Sequence, residues 1–421
     1  MKFKKISALA LSAALLMTGC STGGSDEATQ EEIVTKITEP VEITFWHAMN
    51  GEQEKSLTKL TEKFMAENEN ITVTLQNQSS YPDLQQKITA TTASPKDLPT
   101  LTQAYADWMT LPIQDELVVD LKPYIENEEI KFDNYEDIVE GFRTAATTED
   151  GKVYGMPFNK STEVIWYNKT LFDELGLEVP TTFEEFATVA KTITEKKGIV
   201  GAGFDSLSNY YTTQLKTQGV TFDNNVDVTG EESTNAANYY LDGVKEGYFR
   251  IAGTDKYLSG PFASETLGMY VGSNAGETFV KQGVDGKFEV GVARYPSSDA
   301  MQQGTDLYVF SNATAEQRTA AYEYLKFLTT TENQITWAIE TGYIPARTSA
   351  IESDEYKNSG SLVSPIVSEA TKGLYTNPTL VGTDSAYREA ATVLEGILAE
   401  ENPDVKAHLE NYKNTLMGIW E

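Results

Sequence analysis

The chain has 421 residues, of which 63 are acidic and 33 are basic, so its formal net charge is −30 at neutral pH. Such an acidic chain repels nucleic acids and anionic lipid head groups, because phosphate binding depends on neutralisation by lysine and arginine. A single cysteine excludes disulfides within the chain and thiolate metal sites. The length exceeds what one hydrophobic core usually serves, so two lobes are expected.

The N-terminal segment has the layout of a secretory signal peptide. Lysines close to the N-terminus precede an uncharged, mostly apolar run at residues 6–17, which is too short to span a bilayer comfortably. The string LMTGC at 16–20 resembles the bacterial lipobox, with Met17 at a position where leucine is usual. We therefore predict a signal peptide at 1–19 and lipid attachment at Cys20, where two acyl chains give stable anchoring. An ordinary signal peptide with a chance cysteine is the alternative.

Residues 20–38 are small, polar and acidic, which is typical of a flexible tether. No later apolar run of the sequence approaches the length of a membrane-spanning helix. We expect a folded body held by its lipid at the extracytoplasmic face of a bacterial cell membrane.

The start of this body alternates strand and helix patterns. Apolar residues alternate at 41–47, recur at helical spacing at 52–70 and alternate again at 71–77. This pattern predicts a strand–helix–strand unit with a right-handed crossover and parallel pairing. A short helix around 83–90 and a strand within 98–105 follow.

Capping boxes predict two later helix starts. Thr182 with Glu185, and Thr314 with Gln317, each precede apolar residues that recur on one helical face. The segment 221–235 between them is polar and rich in turn-forming residues. The chain therefore alternates α and β elements, and ligands are expected at the carboxyl ends of its strands.

The sequence offers few residues for catalysis or metal binding. Its two histidines, His47 and His408, are far apart, and motifs for zinc proteases, serine hydrolases, P-loops and dinucleotide binding are absent. Residues 223–227 begin like a calcium-binding EF-hand loop, but Val228 replaces the required glycine and Thr234 replaces the bidentate glutamate. We predict no enzyme activity, no metal site and no cofactor.

Residues 150–186 resemble the extracellular solute-binding proteins of family 1, the receptors of sugar-type ABC importers. The resemblance is carried by GMP at 155–157, in the position of the family's turn, by WYNK at 166–169, and by a helix of the form LFxxxGL at 171–177. Further matching segments occur in the family's order: TFWHAMNGE at 44–52, KDLPTLTQAY at 96–105 and AAYEYLKFLTTTENQITWAIETGYIPAR at 320–347.

This resemblance implies an α/β protein with the type II periplasmic-binding-protein fold, in which two α/β lobes joined by hinge strands enclose a ligand cleft. The lobes are expected at 39–153 with 305–346, and at 154–304 with 347–421. The resemblance further implies a monomeric receptor that traps a solute by closing its lobes and delivers it to the permease subunits of an ABC importer.

The motifs are most similar to those of the glycerol-3-phosphate-binding branch. Its acidic contact would fall on Ala106, with Asp107 adjacent, and its phosphate-binding arginine near Thr383, with Arg388 as the nearest candidate. A phosphate requires several charge-assisted donors, so we favour a neutral saccharide or short oligosaccharide. Glycerol-3-phosphate or a glycerophosphodiester is the alternative. The branch's other contacts fall on Tyr81, Ser161, Ser273, Gly304 and Tyr343.

Aromatic residues at predicted strand ends or in loops add to this set, because rings stack on sugar faces while polar side chains satisfy hydroxyls. Trp108 and Tyr211 are further rings of this kind. Core packing is the alternative for each ring, and it is favoured for Trp166 and Trp337, which lie inside strand and helix patterns. The candidate ligand-binding residues are Trp46, His47, Tyr81, Tyr105, Asp107, Ser161, Tyr210, Ser273, Gly304, Asp306 and Tyr343.

Two other classes of protein remain open. A secreted carbohydrate-acting enzyme needs two carboxylates about 5–10 Å apart, and nothing in the sequence selects such a pair among the 63 acidic residues. A surface receptor that does not serve transport is the second alternative.

Overall fold

A computed structural model describes residues 33–148 and 150–421. The predicted signal peptide at 1–19, the lipid-attachment residue Cys20 and most of the predicted tether at 20–38 lie outside the described residues. Within the described ranges, no helix combines the length and apolar character needed to cross a membrane.

The strands of the described residues are β1 (Val41–His47), β2 (Ile71–Asn77), β3 (Leu101–Ala104), β4 (Gly155–Asn168), β5 (Ala202–Phe204), β6 (Phe249–Ile251), β7 (Met269–Ser273), β8 (Val290–Arg294), β9 (Ala300–Val309) and β10 (Leu374–Tyr375). The helices are α1 (Glu52–Glu67), α2 (Tyr81–Thr92), α3 (Thr110–Gln114), α4 (Lys122–Glu126), α5 (Glu140–Ala145), α6 (Lys169–Leu175), α7 (Phe183–Lys197), α8 (Leu207–Thr217), α9 (Glu231–Lys245), α10 (Ser259–Ala263), α11 (Glu277–Val284), α12 (Ala315–Leu328), α13 (Thr331–Thr341), α14 (Thr348–Glu352), α15 (Asp354–Lys357), α16 (Val367–Ala370), α17 (Thr383–Ala399) and α18 (Val405–Trp420).

The predicted strand–helix–strand unit at the start of the body is confirmed. β1 and β2 pair in parallel along their full lengths, from Val41 opposite Ile71 to His47 opposite Asn77. The helix expected around 83–90 is the longer α2, because Ser80 caps it by accepting a hydrogen bond from the backbone N–H of Asp83. The strand expected within 98–105 is the shorter β3.

Both predicted helix starts are present, but the first capping box is only half formed. Thr182 caps α7 by accepting from the backbone N–H of Glu185, whereas the Glu185 carboxylate accepts from the backbone and hydroxyl of Thr181 instead of closing the box. At α12 both arms are present, since Thr314 and Gln317 each accept a hydrogen bond from the other's backbone N–H.

The strands form a mixed sheet in the order β2-β1-β3-β9-β4-β7-β5-β6, with β10 paired to β9 and β8 paired to β4. The outer strands on either side pair in parallel, whereas β9 runs antiparallel to both β3 and β4. The sheet therefore consists of two parallel groups joined by the long strands β4 and β9.

Strand β4 connects these two groups directly. Residues 155–162 pair with β9, and residues 163–168 pair with β7 and β8. We expected a turn at Gly155–Pro157, but the structure places these residues inside β4. The register shifts between Pro157 and Asn159, where proline supplies no backbone N–H for the ladder, so the irregularity is accommodated as a bulge.

Hydrophobic clusters cover both groups of strands. One lies around β1 and β3, a large one packs α7, α8, α9 and α17 around β5, and another covers the opposite face of β4 and β7. Trp166 and Trp337 are fully buried, so the prediction that both tryptophans pack in the core is confirmed. The lobe boundaries given above stay a prediction.

Candidate ligand-binding site

A cavity of about 310 Å³ opens where several strands end. Residues 105–108 reach it directly after β3, and Asn209 reaches it from the first turn of α8, after β5. The carboxyl ends of parallel strands are the usual position of ligand sites in α/β proteins. The cavity is lined by Tyr81, Pro82, Gln85, Tyr105, Ala106, Asp107, Trp108, Ala145, Lys160, Asn209, Met301, Gln302, Gln303, Gly304, Asp306, Thr376, Asn377, Thr379, Asp384, Tyr387 and Arg388.

One wall of the cavity consists of three aromatic rings. The ring centroid of Tyr81 lies 5.6 Å from that of Tyr105 and 6.2 Å from that of Trp108, and the last two are 5.1 Å apart. The Tyr81 hydroxyl accepts a hydrogen bond from Asn159 and lies 3.2 Å from the Tyr343 hydroxyl. These contacts fix the ring of Tyr81, so the wall offers a rigid surface on which an apolar ligand face can stack.

The charged groups of the cavity are largely paired with one another. Lys160 Nζ lies 2.5 Å from Asp306 Oδ1, and both side chains are almost completely buried. Arg388 donates through Nε to Asp384 Oδ2 at 2.9 Å, and it also contacts Gln85. Both cations among the described residues that line the cavity therefore already have a carboxylate partner, so neither is left unpaired for an anionic ligand.

Asp107 is the remaining carboxyl group of the cavity. Burial, and to a smaller extent the nearby carboxylate of Asp384, raises the pKa of Asp107 to about 7, while Arg388 opposes this shift. Around neutral pH the protonated form of Asp107 can donate a hydrogen bond as well as accept one.

A family model described as bacterial extracellular solute-binding protein matches residues 59–362, which is more than half of the chain. The chain belongs to this family. A curated relative, the sn-glycerol-3-phosphate-binding periplasmic protein UgpB of Rhizobium meliloti (strain 1021), is 26% identical over 344 residues, which cover 76% of this chain and 78% of the relative.

Solved structures of low sequence identity show the same fold. UgpB from Mycobacterium tuberculosis in complex with glycerophosphocholine superimposes with a TM-score of 0.79 at 19% identity, covering 90% of this chain and 98% of that chain. The GacH receptor of Streptomyces glaucescens, solved unliganded and in complex with acarbose, gives a TM-score of 0.77 at 20% identity, with coverage of 90% and 99%. The predicted type II periplasmic-binding-protein fold, with two α/β lobes joined by hinge strands, is thereby confirmed.

Five of the candidate residues line the cavity of this solute-binding protein: Tyr81, Tyr105, Asp107, Gly304 and Asp306. Arg388, named as the nearest replacement for a phosphate-binding arginine, lines it too, and so does Trp108. Tyr343 lies one layer behind the wall, where its hydroxyl faces that of Tyr81 and its ring stacks on Trp337.

The other candidates lie away from the cavity lining. Trp46 packs in the cluster around β1 and donates its Nε1–H to Gln76. His47 is buried, accepts from the backbone N–H of Met49, and has its pKa lowered to about 4, mainly because burial disfavours the charged ring. Ser161 is buried within β4, and Ser273 accepts a hydrogen bond from the backbone N–H of Ala275.

Tyr210 also lies away from the cavity, in the large core cluster around β5. Its ring is fully buried between other aromatic rings, and its hydroxyl donates to the backbone oxygen of Ala236 at 2.7 Å. Tyr211 is likewise buried, with its hydroxyl 2.6 Å from that of Ser233. Both rings therefore have packing partners, so we leave Tyr210 and Tyr211 out of the candidate site.

Several lining residues were not selected from the sequence. Lys160 directly precedes the candidate Ser161, and Asn209 directly precedes the candidate Tyr210. In each case the residue that lines the cavity is the neighbour of a candidate and not the candidate itself. Gln85, Gln303 and Tyr387 carry no local pattern that distinguishes them from surface residues. Within the described ranges, no group of three or more His, Cys, Asp and Glu side chains could hold a metal ion.

Proposed function

We propose that this protein captures a small neutral saccharide or polyol in the cavity and delivers it to the permease of an ABC importer. The observation that carries this proposal is the pairing of Lys160 with Asp306 and of Arg388 with Asp384. Because both cations are already neutralised, a ligand must gain its affinity from hydrogen bonds and from stacking.

The shape and lining of the cavity support this ligand class. Three aromatic rings line one side, and amide, hydroxyl and carboxyl groups line the remainder, as in sites that recognise sugars. A volume of about 310 Å³ lies at the lower end of the usual range for ligand sites. It favours a small saccharide or polyol over a long oligosaccharide.

A zwitterionic glycerophosphodiester is the second candidate. Curated relatives are named as sn-glycerol-3-phosphate-binding proteins, and one neighbouring structure holds glycerophosphocholine. In this chain, Arg388 reaches the cavity while Asp107 lies beside the rings of Tyr105 and Trp108. An aromatic wall with an adjacent carboxylate suits a quaternary ammonium group, and one phosphodiester charge demands fewer cations than a phosphomonoester.

The proposal includes transport without chemical conversion of the ligand. Members of this family are binding proteins, and the carboxyl groups of the cavity are explained by ion pairing or by ligand hydrogen bonding.

We further propose that Cys20 carries the lipid that holds the protein close to its permease, which raises the effective concentration of the receptor at the membrane. We expect Cys20→Ala to move the protein from the membrane fraction to the soluble fraction, whereas Cys20-independent sedimentation with membranes would contradict the anchor.

A thermal-shift screen of the purified protein tests the ligand class. The probes are monosaccharides, maltose, ribitol, glycerol-3-phosphate and glycerophosphocholine. A ligand at 100 times its dissociation constant adds about 2.7 kcal/mol to stability, a shift of a few degrees in melting temperature. Stabilisation by an uncharged probe that mass spectrometry recovers unchanged supports the proposal. Turnover of the probe favours an enzyme, and stabilisation only by glycerophosphocholine favours the second candidate.

A further inference from the structure

A hydrogen-bonded bridge crosses the cavity between α2 and α17. Gln85 of α2 donates through Nε2 to Asp384 Oδ2 at 2.9 Å, and its Oε1 accepts from Arg388 Nη2. Arg388 also donates through Nε to Asp384 Oδ2 at 2.9 Å, so each of the three side chains contacts the other two. All three line the cavity. Because α2 belongs to the first predicted lobe and α17 to the second, the bridge joins the two sides of the expected ligand cleft.

The bridge lies at the mouth of the cavity and not at its floor. The side chains of Arg388 and Asp384 are 49% and 21% exposed, whereas those of Lys160 and Asp306 in the same cavity are 2% and 3% exposed. Solvent therefore reaches the bridge, while the Lys160–Asp306 pair lies at the enclosed end. A solute bound at that end lies beneath the bridge.

The bridge also lies beside the aromatic wall. α17 contacts residues 106–109, which follow β3 and include Trp108. Asp384 and Arg388 are close enough to Asp107 to act on its pKa, the carboxylate raising it and the guanidinium lowering it. The bridge therefore closes the cavity on the side where a ligand ring can stack on the wall.

Ion pairing within one helix does not account for Gln85. Asp384 and Arg388 are four residues apart on α17 and would pair without help from another element. Gln85 comes from the opposite helix, and its amide matches both charges, since its NH₂ group donates to the carboxylate while its oxygen accepts from the guanidinium. Hydrogen bonds to charged groups are stronger than those between neutral groups. One amide therefore holds two helices together across the mouth.

We infer that Gln85, Asp384 and Arg388 form a gate over the mouth of the cavity, which restricts binding to solutes short enough to lie beneath it. Opening of the lobes requires both contacts of the Gln85 amide to break. A small solute leaves the gate closed, whereas a longer chain that protrudes through the mouth keeps Gln85 away from α17. This inference rests on the proposed function and assigns the residues that set the upper limit of ligand length.

Isothermal titration calorimetry with maltose and maltotetraose tests the gate in the variant Gln85→Ala. The matched control is Gln86→Ala, because Gln86 is the exposed neighbour on α2 and both substitutions make the same change in one helix. We expect the wild type to bind maltose at least about tenfold more tightly than maltotetraose, since the longer chain has to break the charge-assisted contacts of Gln85. In Gln85→Ala this preference falls below about threefold, while the control keeps it.

The rate of solute release is a second measurement, which a folding defect would not reproduce. Stopped-flow fluorescence follows the tryptophans, including Trp108 of the aromatic wall, when a complex with maltose or ribitol is diluted. We expect Gln85→Ala to release either solute at least about fivefold faster than the wild type, because loss of contacts in a complex acts mainly on dissociation. Its melting temperature without solute stays near that of Gln86→Ala.

The outcomes separate the gate from the proposed function. Equal affinity of the wild type for maltose and maltotetraose, or a release rate that Gln85→Ala leaves unchanged, overturns the gate and leaves the proposed function standing. If ribitol binds and maltose does not, the release rate of ribitol decides. If no uncharged probe of the screen binds the wild type, the proposed function and the gate are both overturned.

Discussion

Glu163 is buried in the middle of β4, where its carboxyl group is shielded from water and lies near the amide of Asn209 and the hydroxyl groups of tyrosines. Burial raises its pKa to about 8 from an ordinary value near 4.5. The folded protein therefore holds a proton there that the unfolded chain releases. The stabilising effect of that proton is complete below about pH 4.5 and is lost as the pH rises through about 8.

The isosteric substitution Glu163→Gln makes this pH dependence measurable. The variant stays uncharged, so the wild type should lose about 2 kcal/mol of unfolding free energy relative to it between about pH 6.5 and about pH 8, at about 1.4 kcal/mol per unit. Asp107, Asp205 and His47 also have shifted pKa values, but they are present in both proteins and cancel. Urea unfolding at several pH values measures the difference, and parallel curves for the two proteins would contradict a raised pKa.

At the scale of elements, the close approach of β4 and β9 depends on a glycine. Gly304 has a φ of +87°, and a Cβ atom there would lie 2.0 Å from the backbone oxygen of Asn159. The backbone at this position also lines the cavity. The two strands therefore keep their spacing beside the ligand only because residue 304 has no side chain.

Gly304→Ala should destabilise the protein by about 2 kcal/mol or more, since the added methyl group meets backbone that cannot move aside. Gly418→Ala is the matched control, because nothing lies within 4 Å of a Cβ at that position of α18. Denaturant unfolding compares the two variants. Equal stability of Gly304→Ala and the control would show that the strands can separate without cost.

Helices α2 and α17 meet across the cavity through Gln85, which donates to Asp384 Oδ2 at 2.9 Å and contacts Arg388. Because Arg388 is already paired with Asp384, a neutral ligand gains nothing from its charge. We therefore expect Arg388→Gln to change the affinity for a saccharide or polyol by less than about threefold. A loss of more than about tenfold, measured by calorimetry, would instead indicate that the arginine binds an anionic group.

Local pattern was sufficient to predict the elements but not the details of the site. The alternation at 41–47 and the helical spacing at 52–70 depend on neighbours in sequence, and β1 and α1 are present as expected. Family motifs placed Tyr81 and Gly304 at the cavity. The position of Asn209 at the cavity could not be predicted in this way, because it depends on contact with Tyr387, which lies 178 residues later in the chain.

Burial of aromatic rings is equally difficult to predict from sequence. α8 is buried along most of its length between β9, α9 and α17, so the ring of Tyr210 packs in the core and not at the cavity. A tyrosine in an exposed loop and a tyrosine in a fully buried helix cannot be distinguished by their identity in the sequence. Only the packing of distant elements separates them.

At the scale of the whole molecule, charge and cavity favour the same ligand class. The chain carries a formal charge of −30, and its field disfavours the approach of anions unless a local cluster of cations overrides it. The cavity provides no such cluster, because Lys160 and Arg388 each have a carboxylate partner. A solute without net charge avoids the repulsion and can use the aromatic wall and the paired polar groups.

The most direct test of this account is calorimetric titration of the wild-type protein with ribitol, maltose and glycerol-3-phosphate at low and high salt. We expect an uncharged probe to bind with an affinity that salt leaves unchanged, because its contacts involve hydrogen bonds and stacking. Binding of glycerol-3-phosphate alone, with an affinity that falls as salt is added, would contradict the account.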